Sequence, residues 1–256
     1  MENFRSQCLR EFKNLFKQTQ NQNENQFLIS LLGIRKEEFK DKSPLTIPYM
    51  QEMEFDEILK ATNLFIRIID ALNSNKDKTN KENSVRLKLF AYCHLVEVDF
   101  YYNIIANLLR TLANSSYIEN LLLGEALRKK KNELQKLCKK CRDNKIDIHI
   151  DTIYEKVCND DCLDLRNAFL HSQYIIASPD VVLTKHIFTK KKCHCSFDEI
   201  NTLFANVITF VKTFIETYKN AIRPYQQIKL IRIDYLEKKL CTRYHKKSKR
   251  WISAKE

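Results

Sequence analysis

Residues 150–171 read IDTIYEKVCNDDCLDLRNAFLH and residues 172–183 read SQYIIASPDVVL, and together they indicate a helix followed by a hairpin. Apolar and polar residues alternate at helical spacing from the first residue of this stretch to Ala168. After His171 the pattern changes to two short β-rich runs separated by a proline-containing turn. We therefore expect Arg166 on a helix and His171 at the end of that helix, beside a β-hairpin.

Arg166, Asn167 and His171 are the polar groups of this helix end that could carry chemistry. An arginine guanidinium presents a charged, planar donor fork that fits a phosphate, and a histidine transfers protons near neutral pH. Asn167 and His171 are four residues apart and share a helix face, so we expect Asn167 to orient the helix end and His171. Arg166 and His171 are about 140° apart around an ideal helix, so two paired copies are needed to direct both groups into one cleft.

The order of these parts resembles the HEPN superfamily, whose ribonuclease members carry Arg-Asn-x-x-x-His near a helix end. The resemblance extends over roughly residues 85–222, where the run SFDE at 196–199 opens the last long helix after the hairpin. It implies an all-α helical bundle of HEPN type, with a short β-hairpin after the motif helix. It also implies a homodimer whose composite catalytic site contains Arg166, Asn167 and His171.

The resemblance further implies that RNA is the substrate, and that the chain acts in bacterial defence or in a toxin system with an antitoxin or defence protein as a possible partner. In the implied reaction the 2′-hydroxyl of the RNA attacks the adjacent phosphate, while His171 moves a proton and Arg166 stabilises the charge. Because the motif offers no paired carboxylates for Mg²⁺, we expect cleavage without a metal ion or another cofactor. Two alternatives stay open: a catalytically silent HEPN module that binds nucleic acid or a partner protein, and a helical scaffold with an accidental motif.

The composition favours long helices. Only 2 Gly and 4 Pro occur in 256 residues, and the 44% hydrophobic content suffices for one core or one core with a small appendage. Apolar periodicity predicts helices at 4–16, 55–72, 85–112, 121–141, 150–171 and 196–221, the last of which we expect to continue through 225–244. We divide the chain into an N-terminal helical extension at 1–84, a HEPN-like core at 85–222 and a basic C-terminal helix or tail at 223–256.

The charge distribution indicates an anionic partner, since the net charge is +12 and the pI is near 9.2. Residues 219–256 carry 12 Lys and Arg against 3 Asp and Glu, and residues 128–145 carry 9 against 2. We expect four cations of the C-terminal segment to bind RNA: Lys246, Lys247, Lys249 and Arg250. Four aromatic residues of the same segment could stack on bases: Tyr225, Tyr235, Tyr244 and Trp251. The alternative is a solvated helix face and a basic tail without a binding role.

Acidic residues near the motif are candidates for supporting it. Glu97 and Asp99 fall in the apolar central helix, where a carboxylate could orient Arg166 or His171, or instead face water or pair with a lysine. Asp164 precedes His171 by two helical turns, so its carboxylate could reach the site or could be an ordinary solvated helical acid.

The 9 cysteines are scattered through helical patterns, which favours free buried thiols over disulfides. Three pairs have spacings that zinc would accept: Cys138 and Cys141, Cys158 and Cys162, and Cys193 and Cys195. Because the apolar periodicity already predicts a full core, we expect no metal site. His194 is assigned no role, since no acidic partner is evident beside it.

The targeting features of the sequence are also informative. No stretch reaches the roughly 18 apolar residues of a membrane span, and the start of the chain lacks the features of a signal peptide. We therefore expect a soluble, cytoplasmic protein that does not contact a membrane.

Overall fold

The computed structural model describes residues 3–33, 35–36, 45–46, 51–74, 77–118, 127–184, 194–235, 238–247 and 250–253. These residues form the helices α1 (Phe4–Gln22), α2 (Glu24–Leu32), α3 (Gln51–Ser74), α4 (Lys78–Val96), α5 (Asp99–Leu112), α6 (Leu127–Asp143), α7 (Ile150–Glu155), α8 (Asp160–Leu170) and α9 (Phe197–Ile222). The strands are β1 (Arg35–Lys36), β2 (Leu45–Thr46), β3 (Tyr174–Ala177), β4 (Asp180–Leu183), β5 (His194–Ser196), β6 (Ile231–Tyr235), β7 (Lys238–His245) and β8 (Arg250–Ser253). The predicted mainly helical fold is confirmed.

The hydrophobic core is built around α9, which packs against α1 and α4. Phe210 and Phe214 of α9 are fully buried, and their ring centroids lie 5.1 and 5.4 Å from the ring of Phe12 on α1 in edge-to-face geometry. One continuous cluster of buried residues includes members of all these helices and of the C-terminal strands. The division of the chain at residues 84 and 222 stays a prediction. Within the described ranges, no helix combines the length and apolar character needed to cross a membrane.

The prediction of a single helix at 85–112 is wrong. α4 ends before Glu97 and α5 begins after Val98, whose ψ of 108° is not helical. The Tyr101 hydroxyl donates to the last two carbonyl oxygens of α4, at 2.8 and 3.1 Å, and so satisfies groups that the break leaves without helical partners. Apolar periodicity continues across the break because both helices pack on the same core.

The predicted helix at 150–171 is likewise divided. α8 begins after Asn159, whose side-chain oxygen accepts a hydrogen bond from the Cys162 N–H at 2.8 Å and caps the helix. Two aspartates occupy the first turn of α8, where negative charge is favourable near the exposed N–H groups. Arg166 lies on a helix as predicted, although that helix has only 11 residues.

The hairpin predicted after His171 is confirmed, because β3 and β4 pair antiparallel with Tyr174 opposite Leu183. A third strand that was not predicted, β5, pairs with the other edge of β4. Ser196 ends β5 and caps α9, since its Oγ accepts from the Glu199 N–H at 3.1 Å and its own N–H donates to the Glu199 carboxylate at 2.8 Å. This reciprocal capping box fixes the predicted start of α9.

The prediction of a helix or tail at 223–256 is wrong for the described part of that segment. After a 3-10 turn at Tyr225–Gln227, the chain forms an antiparallel sheet in the order β6-β7-β8. Ile231 and Ile233 are buried and the residues that follow each of them are exposed, which is the period-two alternation of a strand with one buried face. The density of basic residues concealed this alternation at the level of sequence.

The C-terminal sheet is held against α2. Asn25 of α2 donates through its side chain to the Asp234 carbonyl oxygen at 2.6 Å, and its side-chain oxygen accepts from the Asp234 N–H at 3.0 Å. The Tyr225 hydroxyl donates to the Glu24 carboxylate at 2.7 Å and accepts from the Gln20 amide at 2.8 Å. These contacts tie the last segment to the N-terminal helices.

Candidate active site

The end of α8 is a sharp reversal that leaves the His171 side chain exposed. Ser172 adopts a left-handed φ of 54°. Its N–H donates to the Phe169 carbonyl oxygen at 3.2 Å, and the Gln173 N–H donates to the Ala168 carbonyl oxygen at 2.7 Å. This pair of bonds is a Schellman motif, which satisfies the last carbonyl groups of a helix while turning the chain away from its axis.

Arg166 lies between two oxygen acceptors. Its Nη1 donates to Asn167 Oδ1 at 2.7 Å, and its Nη2 forms an ion pair with Glu97 at the end of α4. The Arg166 side chain is 23% exposed and that of Glu97 is 41% exposed, so their ion pair contributes about 1 kcal/mol or less to stability. The two contacts hold the guanidinium in one orientation, and the Arg166 side chain stays partly exposed.

Cys93 lies on α4 one turn before Glu97, the C-cap residue, and is close enough to Arg166 to be affected by its charge. Burial raises the pKa of the Cys93 thiol to about 12, and the nearby Arg166 cation opposes that rise. The Arg166 charge therefore acts on the end of α4, where its guanidinium pairs with Glu97. The thiol stays protonated at neutral pH, which excludes it as a nucleophile beside Arg166.

His171 and Asn167 meet through the backbone. The His171 N–H donates to the Asn167 carbonyl oxygen at 3.1 Å, whereas the Asn167 side chain contacts Arg166. Among the described residues, none forms a hydrogen bond or an ion pair with the His171 ring. The structure therefore brings the side chains of Arg166, Asn167 and Glu97 together, and it presents the His171 ring at the helix end without a hydrogen bond or ion pair to those side chains.

Asp164 lies on a different side of α8 from Arg166. Together with Arg128, Lys131 and Gln135 of α6, it lines a cleft of about 560 Å³. The sequence placed Asp164 among the supporting residues, but this cleft contains neither Arg166 nor His171 among its described lining residues. Asp99 is the first residue of α5, and its side chain lies outside the described part of the structure.

Three of the basic residues proposed for RNA binding have a described backbone, at the last turn and in the last strand of the C-terminal sheet. Lys246 and Lys247 are exposed after β7. Arg250 opens β8 opposite His245, with its side chain outside the described part, and Lys249 is also outside the described residues. Two cations are thus confirmed on the surface, while their role in binding stays a prediction.

The stacking role predicted for the C-terminal aromatic residues is wrong for two of them. Trp251 is buried, with its ring centroid 5.5 Å from that of its cross-strand partner Tyr244. Tyr225 is buried beneath the sheet with its hydroxyl hydrogen-bonded. Both residues serve the packing of the sheet, so neither face is open to a base. The Tyr235 side chain lies outside the described part.

The second basic segment, α6, presents fewer of its cations to solvent than its sequence predicts. Lys130 is buried with its ammonium 5.7 Å from the Tyr102 ring centroid. Lys131 is buried and pairs with Glu155 at 3.1 Å and with Asp160 at 3.4 Å. Its pKa is nevertheless raised, because hydrogen bonds and charges from these two carboxylates outweigh the desolvation that alone would lower it. Two cations of this segment thus stabilise the bundle.

The cysteines of the predicted zinc spacings are mostly core residues. Cys138, Cys141, Cys158 and Cys162 are buried, and desolvation raises the pKa of each thiol. Cys193 lies outside the described residues. In the ranges that the structure describes, no group of three or more His, Cys, Asp or Glu side chains is arranged to hold a metal ion.

One concave site was missed by the sequence analysis. His194, to which no role was assigned, lines a cavity of about 460 Å³ together with residues of α8, β4 and α9. Asp161 and Asp198 lie on the same cavity, each in the first turn of its helix. The sequence signal that could have found Asp161 and Asp198 is that each closely follows an N-cap residue, Asn159 or Ser196, at the start of its helix.

Comparisons of this chain with protein-family models, with curated proteins and with solved structures find no match.

Proposed function

We propose that the chain is a metal-independent endoribonuclease of HEPN type, acting in bacterial defence or as a toxin, with Arg166 and His171 as its catalytic residues. The observation that carries the proposal is the arrangement at α8. A partly exposed guanidinium is held by Glu97 and Asn167, and the same helix ends on an exposed histidine followed by a hairpin. An oriented cation and a proton-transfer group on one short helix are what phosphodiester transfer requires.

In the proposed reaction the 2′-oxygen of the RNA attacks the adjacent phosphorus and gives its proton to His171 of one copy. The bond from phosphorus to the 5′-oxygen breaks, and that oxygen takes a proton from His171 of the second copy. Arg166 stabilises the additional negative charge on the phosphoryl oxygens during the displacement. The products are a 2′,3′-cyclic phosphate end and a 5′-hydroxyl end. Asn167 and Glu97 act by positioning Arg166.

The proposed site uses two copies because Arg166 and His171 are about 140° apart around an ideal helix. The Arg166 guanidinium pairs with Glu97 at the end of α4, whereas the His171 ring, after the last turn of α8, forms no hydrogen bond or ion pair with the described side chains around Arg166. A twofold pairing would supply a second arginine and a second histidine to a common cleft.

An exposed apolar surface offers a place for the second copy. Leu64 and Ile68 of α3 and Phe90 of α4 are large hydrophobic residues that are 48%, 42% and 53% exposed. Phe90 packs edge-to-face on Phe65, with 5.9 Å between ring centroids. Phe90 also precedes Glu97 by two helical turns, so the apolar surface continues toward the residue that holds Arg166. We assign this surface, Leu64, Ile68 and Phe90, to contact with the second copy.

Incubation of the purified protein with total RNA tests the proposed reaction. Fragments with 2′,3′-cyclic phosphate and 5′-hydroxyl ends are expected, and cleavage should persist in EDTA because the proposed groups need no divalent ion. The His171→Ala variant, purified in the same way, controls for contaminating nucleases. Equal cleavage by wild type and His171→Ala, or 5′-phosphate ends, would contradict the proposal.

A second candidate function is a catalytically silent module that binds nucleic acid or a partner protein. The observation that favours it is that both terminal nitrogens of Arg166 already contact acceptors, Glu97 and Asn167. An arginine with only a structural role would make the same two contacts. The two functions separate in the experiment above, because a silent module would bind RNA and leave its length unchanged.

A further inference from the structure

The cavity that contains His194 is separate from the proposed catalytic groups. Its volume of about 460 Å³ falls within the range of roughly 300–1,000 Å³ that is usual for sites of small molecules. It lies where α8, β4, β5 and the start of α9 meet, and its described lining includes neither Arg166 nor His171.

The base of this cavity is apolar. Cys162 and Leu165 of α8, Leu183 of β4 and Leu203 of α9 line it, and each of these residues is buried. Their side chains belong to the main core cluster, so the base is fixed by the packing of the bundle. A ligand with an apolar body would gain burial against this base.

The rim of the cavity is acidic. Asp161 and Asp198 are exposed, and neither carboxylate forms an ion pair with another residue that the structure describes. Glu199 also lines the rim, but its carboxylate accepts from the Ser196 N–H at 2.8 Å. Asp161 also lines the neighbouring cleft that contains Arg128 and Lys131, but neither of these cations forms an ion pair with it. Asp161 and Asp198 therefore leave two negative charges at the mouth without an ion pair to a described cation.

Lys156, a cation that lines the cavity, is directed elsewhere. Its ammonium donates to the Gln7 side-chain oxygen at 2.6 Å and lies 5.3 Å from the ring centroid of Phe4, both on α1. In a chain with a net charge of +12, an apolar cavity with an acidic mouth is complementary to a ligand of positive charge.

We propose that this cavity binds a small organic cation with an apolar body. The apolar part of the ligand would lie on Leu165 and Leu203, and its ammonium or guanidinium group at Asp161 and Asp198. Acidic residues in the first turn of a helix also favour the helix itself, which explains one such residue at each helix start. This effect on helix stability does not explain why both acidic residues lie at the mouth of one apolar cavity. The proposal does not depend on ribonuclease activity.

Three probes with the same aromatic body and different charges test the proposal: benzylamine, benzyl alcohol and benzoate. Binding is followed at low salt by the amide chemical shifts of the ¹⁵N-labelled protein. We expect saturable shifts for benzylamine at the cavity residues, with affinity about fivefold higher than that of benzyl alcohol, as one exposed ion pair provides. Benzoate should not produce saturable shifts. Equal or tighter binding of benzoate, no saturable binding of benzylamine, or shifts centred on another surface would overturn the proposal.

Variants of the rim separate the charge from the fold. Asp161→Asn and Asp198→Asn, singly and together, should lower the affinity for benzylamine to that for benzyl alcohol. The matched control is Asp164→Asn, which removes a carboxylate of α8 that is not among the described lining residues of this cavity and should leave benzylamine binding unchanged. If the double variant does not fold, the test uses the two single variants and Leu203→Phe. The larger side chain of Leu203→Phe should fill the base of the cavity and weaken benzylamine binding. Unchanged benzylamine affinity in the folded rim variants, or in Leu203→Phe, would contradict the site.

Discussion

The end of α8 and the last turn of the C-terminal sheet both carry cations that we assign to RNA, but they hold them differently. Arg166 is partly buried and has two acceptors that orient its guanidinium. Lys246 and Lys247 are exposed on a turn, and neither forms an ion pair with a described residue. A fixed donor fork can stabilise one charge distribution selectively, whereas exposed lysines act as screened point charges on the whole phosphate chain. The first arrangement is therefore suited to chemistry and the second to affinity.

The largest effect is expected at Arg166. Arg166→Ala should reduce the rate of RNA cleavage at saturating RNA by about 100-fold or more, because an oriented cation at the transition state contributes roughly 10²–10³ in rate. Arg166→Lys should recover little, since an ammonium cannot replace the planar fork. The measurement is single-turnover cleavage of a labelled RNA, with circular dichroism to verify helix content.

Arg128→Ala is the matched control for this prediction. Arg128 is an exposed cation of α6 that lies 3.9 Å from Asp160, too far and too exposed to contribute much to stability. Its removal lowers the net charge by the same amount as Arg166→Ala and should leave the cleavage rate nearly unchanged. A similar loss in both variants would show that net charge, and not the oriented guanidinium, determines the rate.

The motif end of α8 was the more predictable of the two regions. The helical spacing of apolar residues placed Arg166 on a helix, and the change of period after His171 predicted the hairpin. The breaks after α4 and α7 were missed because apolar spacing persists when successive helices pack on one core. Asn159 was nevertheless a local signal, since it is a good N-cap residue.

The ion pair of Arg166 with Glu97 required tertiary structure, because the two residues come from different helices. The sequence could only mark Glu97 as one acidic residue in an apolar segment, with several possible roles. The C-terminal strands were not predicted for a different reason. A run of basic residues gives net charge but no periodicity, and the alternation at Ile231 and Ile233 is short.

The second prediction concerns the surface that we assign to the second copy. Phe90→Asp should weaken dimerisation by roughly 10-fold or more, because burial of one such side chain contributes about 1.5–3 kcal/mol. Cleavage should fall with the dimer population, and higher protein concentration should partly restore it. Sedimentation equilibrium measures the dimer, and the same samples are used for cleavage.

Lys81→Asp is the control for Phe90→Asp, since it places an acid at an exposed position of α4 near the start of that helix. It should leave the dimer unchanged. A wild-type protein that is monomeric at all concentrations and yet cleaves RNA would contradict the composite site. A dimer unaffected by Phe90→Asp would contradict only the assigned surface.

A smaller effect on RNA binding is expected at the last turn of the C-terminal sheet. The Lys246→Ser and Lys247→Ser double variant should weaken RNA binding a few-fold and reduce the salt dependence, by about 0.7 in the slope of log K against log salt for each lysine that contacts a single strand. The cleavage rate at saturating RNA should not change. Substitution is the proper test because truncation after Tyr244 would remove β8 and the buried Trp251. An unchanged salt slope would show that this turn does not meet RNA.

The smallest effect concerns the backbone that presents His171. Ser172 has a left-handed φ of 54°, which costs a residue with a Cβ about 1 kcal/mol relative to glycine. Ser172→Gly should therefore stabilise the protein by up to about 1 kcal/mol, reduced by the larger conformational entropy that glycine gives the unfolded chain. Ser172→Ala removes the hydroxyl and keeps the Cβ, so it should not stabilise. Urea unfolding measures both variants, and equal free energies of unfolding for Gly and Ala at this position would mean that the Cβ is not strained. A cleavage rate preserved in Ser172→Gly would further show that the Schellman bonds, and not the serine side chain, determine where His171 points.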